Sequence, residues 1–95
     1  MDIQYTGKHT TITDAMKSYT EKKLSRLSPF TDFIKNVHIT FSVDQLDQTV
    51  QATINVTSQT LHASSTAHDI YAALDDLTDK IVRQLKKHKE KTTSH

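Results

Sequence analysis

The chain has 95 residues, 12 Lys and Arg against 11 Asp and Glu, no cysteine, and a formal net charge of +1. That length makes one domain of two packed layers, and the missing thiols exclude a disulfide framework and suit a reducing cytosol. No apolar run approaches the roughly 20 residues that cross a bilayer, and Met1-Asp2-Ile3-Gln4-Tyr5 lacks the basic and apolar regions of a signal peptide.

In chain order, Ile3 and Tyr5 alternate with Asp2, Gln4 and Thr6 as a short strand ended by Gly7, and residues 8–11 read as a loop. Thr13 before Asp14-Ala15-Met16 is a helix start. This helix runs to about Leu27 on the stripe Ile12, Met16, Tyr19, Leu24 and Leu27, and Ser28-Pro29 stops it. Phe30, Phe33 and Ile34 are too apolar for a free connector and cap one end of the core. Three alternating runs follow. Val37, Ile39, Phe41 and Val43 form the second strand; Val50, Ala52, Ile54 and Val56 the third; Leu61, Ala63, Ser65 and Ala67 the fourth. A polar loop over 44–49 joins the first two of these runs. Ser58-Gln59, without the glycine that favours a primed hairpin, joins the last two. Residues 69–91 form the final helix on the stripe Ile70, Ala73, Leu74, Leu77, Ile81 and Leu85. Residues 92–95 read as a frayed tail.

The expected fold is α+β, with order β-α-β-β-β-α and a four-stranded mixed sheet. Strands one and two are parallel and the rest form a meander. The outward strand residues are Thr, Ser, Gln, Asn and His, so both helices belong on the other face, side by side and parallel. Ten of the 12 Lys and Arg then sit on the helices and none on the strands. On the last helix the acids come early (Asp69, Asp75, Asp76, Asp79) and the bases late (Lys80, Arg83, Lys86, Lys87, Lys89, Lys91). The helix macrodipole favours that sorting by roughly 0.3–1 kcal/mol per charge, but only within the end turns. Lys80 and Arg83 lie several turns earlier. With Lys87 they step by three and four, a stripe that points to solvent and suits phosphates.

Several residues admit two readings. Lys23 falls inside the first helix's apolar stripe; its stem packs while its ammonium snorkels out, or enters a groove between the helices. Tyr5 and Tyr71 are core-edge residues or stacking platforms. His88 is a fringe core residue or an RNA contact. None of the six histidines pairs with another at ligand spacing, so no metal site is expected. No catalytic motif occurs, and Asp75 and Asp79 share a helix side that faces solvent, not a pocket. General duplex-RNA binding and protein binding through the bare sheet face both remain open to such a chain.

The run Asp69-Ile70-Tyr71-Ala72-Ala73-Leu74-Asp75-Asp76-Leu77 through Lys86-Lys87-His88-Lys89 closely resembles the C-terminal helix of the ribosome hibernation promoting factors, the family that includes the ribosome-associated inhibitor, protein Y. Thr6-Gly7, Ile12-Thr13-Asp14-Ala15-Met16, Lys23 and Leu27 resemble its first strand and helix. The resemblance implies a fold like a double-stranded-RNA-binding domain, in a cytoplasmic protein, monomeric off the ribosome. It implies binding to the small ribosomal subunit in the decoding channel, over the messenger RNA and tRNA A and P sites, in stationary phase. The rRNA-facing bases it carries over are Lys22, Lys23, Arg26, Lys80, Arg83, Lys86, Lys87 and Lys89. The mechanism is occlusion, with no cofactor, substrate or membrane. Ending at His95, the chain is similar to the family's short form, which acts with a ribosome modulation factor to favour ribosome dimers.

Overall fold

The structure is a computed structural model that describes residues 2–93, with side chains described through residue 90. The elements are β1 (Ile3–Lys8), α1 (Asp14–Leu24), a 3-10 helix (Ser25–Phe33), β2 (Ile34–Asp44), β3 (Asp47–Val56), β4 (Gln59–Ala67) and α2 (Ile70–Thr93). The strands lie in sequence order in one sheet, β1 parallel to β2 and the others antiparallel. Residues 92–93 continue α2, past the expected end of the helix; the rest of the expected frayed tail, 94–95, lies outside the described residues.

Cross-strand register sorts the inner face into rows. Ile3, Val37, Ile54 and Leu61 form one row, and Tyr5, Ile39, Ala52 and Ala63 the next. The third is Gly7, Phe41, Val50 and Ser65. In the second and third rows bulk declines from β2 toward β4. The small side chains Ala52, Ala63 and Ser65 leave room where α2 lies over β3 and β4, and Leu74, Leu77, Ile81 and Leu85 are sealed beneath it. Gly7 is needed for close approach rather than for a special φ: a Cβ there would stand 2.6 Å from the backbone oxygen of Thr10.

Thr13 caps α1 as expected. Its Oγ1 accepts from Met16 N, and the Met16 thioether accepts from Thr13 N, a capping box with sulfur in the usual carboxylate's place. The α-helix does not reach Leu27. It gives way at Ser25 to a 3-10 helix that carries Pro29. Two causes coincide. An α-helical Pro29 would clash with the carbonyl four residues back. Leu24, Leu27, Phe30 and Phe33 are spaced by three, and three residues per turn stacks them on one face; the first three are buried and Phe33 is packed against the core. Arg26 therefore stands on the 3-10 segment, not on α1.

Both hairpins are tighter than the sequence suggests. The 44–49 loop shrinks to Gln45 and Leu46, and the second turn falls at Thr57 and Ser58 rather than Ser58-Gln59. Gln45 (φ 55°) and Ser58 (φ 81°) take up left-handed backbone without glycine. Lys8 and Lys35 lie on β1 and β2, correcting the expectation of no basic residue on strands. The outer face carries the polar residues foreseen, cross-linked by Thr6 with His38, Thr49 with Thr66, and Asn55 with Asn36.

β4 is an edge strand, and α2 closes its edge with a ladder. Asp76 accepts from Ser65 Oγ, Lys80 Nζ donates to Ser64 O, Gln84 Nε2 donates to His62 O, and Gln59 Nε2 donates to His88 Nδ1. From Asp76 to His88 α2 advances about 18 Å, close to the ~20 Å of the six residue steps from Ser65 back to Gln59, although single rungs step by one, two and three residues along β4. The spare carbonyls of Ser64 and His62 are thus taken, as edge strands require if they are not to pair with other chains. His88 is the last rung. It is buried and tilted against Phe33 at 5.0 Å between ring centroids, which makes it a core residue.

Candidate nucleic-acid interface

The contacts between the helices advance together, so they run parallel as expected. Tyr19 meets Tyr71 edge-on at 4.8 Å between ring centroids. Asp75 Oδ1 accepts from Tyr19 Oη at 2.7 Å and pairs with Lys23 Nζ at 2.9 Å. Arg26 Nη1 reaches Asp79 Oδ1 at 2.7 Å. The end of α1 and the start of the 3-10 segment are therefore level with the acidic stretch of α2. Asp75 and Asp79 are exposed, as expected, but their carboxylates lie along this seam, Asp75 against Tyr19 and Lys23 and Asp79 against Arg26. Lys23 satisfies both of its readings in part: it is half-buried, and its ammonium lies in the seam, 5.5 Å from the Tyr19 ring centroid.

These contacts shift proton affinities. The Tyr19 hydroxyl first, and then Lys23, hold the Asp75 carboxyl below its ordinary 3.8. Ser65 first, and then Lys80, do the same for Asp76. The Asp75 hydrogen bond raises both Tyr19 and Lys23. The two depressed carboxyls stabilise the fold above the ordinary carboxylate range, and that share is lost as pH falls through their lowered values. The raised Tyr19 and Lys23 contribute below about pH 10 and lose their share above it. Melting temperature should therefore fall as pH drops below about 4 and as it rises above about 10. Asp75→Asn should shrink both shoulders slightly in a pH series of thermal melts, with the Asp76 share of the acid shoulder remaining; unchanged shoulders would mean that the Asp75 contacts add nothing to stability.

Past the seam, the exposed surface of α2 changes sign. Lys80 is committed to Ser64 O and to Asp76, at 3.2 Å. Arg83, Lys86 and Lys87 are exposed, and among the described residues no ion pair engages them or Lys22. Lys80, Arg83 and Lys87 border a shallow groove with Ala63 and Gln84, so their stripe faces the β4 side of the helix. Lys89 lies 5.9 Å from the Phe30 ring centroid. Of the eight bases foreseen, then, Lys23, Arg26 and Lys80 are ion-paired, and Arg83, Lys86 and Lys87 stand together on one exposed helix. The acids that hold Lys23 and Arg26 were missed; the matching spacings 19, 23, 26 and 75, 79 were the available signal. Tyr5 and Tyr71 are part-buried against the core, Tyr5 beside Phe41 and Tyr71 against Tyr19. No helix among the described residues is long and apolar enough to cross a membrane.

Fold and surface define a class: an α+β domain like a double-stranded-RNA-binding domain, with a cationic helix exposed beside the sheet. The sequence model described as Sigma 54 modulation protein / S30EA ribosomal protein matches residues 3–93, and the chain belongs to that family. A ribosome hibernation promoting factor of Klebsiella oxytoca is 40% identical over 95 residues, 100% of both chains. A ribosomal subunit interface protein from Coxiella burnetii superposes with a TM-score of 0.89 at 38% identity, covering 94% of this chain and 98% of that one. The N-terminal domain of Thermus thermophilus Protein Y superposes at 0.86 with 27% identity, covering 93% and 99%. The family works by binding, not catalysis.

Proposed function

We propose that this protein is a ribosome hibernation factor. It binds the small ribosomal subunit in the decoding channel, over the messenger RNA and tRNA A and P sites, and silences cytoplasmic ribosomes in stationary phase. The observation that carries this reading is the exposed run Arg83, Lys86 and Lys87 on one rigid helix, in a chain matched end to end by a hibernation promoting factor. Rigid, uncompensated bases displace counterions from phosphate and need no chemistry. Lys22, Lys23, Arg26, Lys80 and Lys89 complete the rRNA-facing set. The likeness also supports a protein that is monomeric off the ribosome and joins a ribosome modulation factor in favouring ribosome dimers.

The test is sucrose-gradient sedimentation of ribosomes with the protein, with and without the modulation factor, against excess duplex RNA. Retention on the small subunit despite duplex competitor, and a dimer peak when both factors are present, are the expected results. Complete displacement by duplex would instead make the protein a general double-stranded-RNA binder, the reading that the fold alone favours.

A further inference from the structure

Lys23 and Arg26 face phosphate only if they leave the carboxylates that now hold them. Both pairs are open to water: the side chains of Lys23 and Asp75 are 32% and 50% exposed, those of Arg26 and Asp79 48% and 54%. Exposed pairs of this kind add little to stability. The seam does not need them, because Tyr19 packs on Tyr71 and Tyr19 Oη holds Asp75 independently of Lys23. Yet the two acids stand one helical turn apart, about 6 Å along α2, each against a base and in line with the exposed cationic run. Lys22 and Arg83, on either side of the seam, carry no such partner among the described residues.

We infer that Lys23 and Arg26 are two phosphate seats held in the free protein by Asp75 and Asp79, so that these carboxylates limit how tightly the surface grips RNA. RNA that reaches the seats must displace the acids, and it then lies beside two uncompensated negative charges. The acids therefore weaken the complex and make it easier to reverse. This inference rests on the proposed RNA-binding role of the helix face.

The experiment compares Asp75→Asn/Asp79→Asn with Asp44→Asn/Asp47→Asn, which makes the same change in net charge at the β2–β3 hairpin, outside the seam. Affinity for a 20-base-pair RNA duplex (about two helical turns) and for purified small subunits is measured across a salt series. With the seam acids removed, affinity for both should rise at least about fivefold near 0.15 M salt, and the log–log salt slope should steepen by about one to two units. The hairpin variant should change affinity less than about twofold. Equal gains in the two variants, or no gain at the seam, would overturn the inference. If the double seam variant does not fold, Asp79→Asn alone is read instead, because among the described residues the side chain of Asp79 is ion-paired only with the exposed Arg26; a gain of at least about twofold over an Asp47→Asn control supports the seat at Arg26, and its absence overturns it. Failure of the wild-type protein to bind small subunits would sink the proposed function. Wild-type binding with no seam gain would sink only the seats.

Discussion

Lys86→Glu/Lys87→Glu should abolish co-sedimentation with the small ribosomal subunit and leave the fold intact. Both side chains are exposed, neither has an ion-pair partner among the described residues, and neither belongs to the buried core. The melting temperature should therefore stay within a degree or two, since isolated surface substitutions usually change stability by under about 0.5 kcal/mol. The binding loss follows from counterion release. Each phosphate contact adds a slope of about −0.9 in log K against log salt, hence about fivefold in affinity near 0.15 M. Losing two contacts costs roughly 30-fold, and reversing the charge adds repulsion on top. The residual salt slope should be shallower by nearly two units. A folded double variant that still co-sediments normally would remove this face from the interface.

Leu85→Ala should have the largest effect on the fold and a secondary effect on binding. Leu85 is fully buried and, with Ile81 and His88, anchors the half of α2 that carries the cationic run. Truncating a buried leucine costs about 2–5 kcal/mol through lost transfer energy and the cavity left behind. That is a large part of the total for a domain of this size. Urea titration should show an earlier midpoint with an unchanged slope. Hydrogen exchange should accelerate most between Ile81 and Lys89, and small-subunit affinity should weaken because ordering the helix end is then charged to binding. An unchanged midpoint would mean that this half of α2 is not held by its apolar stripe.

The element order, the sheet topology and the buried stripe of α2 were legible because they rest on strict periods: two for strands and about 3.6 for a helix. What escaped notice lay where another period or a long-range partner decided. The spacing of three in Leu24, Leu27, Phe30 and Phe33 was visible but passes for a loose α-helix until Pro29 is weighed. The hairpins tightened because Gln45 and Ser58 tolerate left-handed backbone, which sequence assigns first to glycine. His88 was undecidable from its own helix, since its burial comes from Phe33 and its hydrogen bond from Gln59. The partners of the seam acids were missed for a similar reason. A helical wheel shows which side Asp75 and Asp79 share, but not that α1 and the 3-10 segment offer Lys23 and Arg26 to that side.

The ladder between α2 and β4 ties two rulers of nearly equal overall length, and it constrains how the chain can change in length. Substitution at one rung, such as Gln84, loses one hydrogen bond and leaves the others in place. Inserting or deleting a residue anywhere between positions 60 and 87 is different. A single extra residue in β4 turns every later side chain to the opposite face. One in α2 rotates all subsequent rungs by about 100°, taking Gln84 and His88 off the strand and turning the cationic run away from its present direction. Within β4 and the rungs of α2, substitution is therefore tolerated better than a change of length, which the Gln45-Leu46 and Thr57-Ser58 turns and the 9–12 loop absorb more readily.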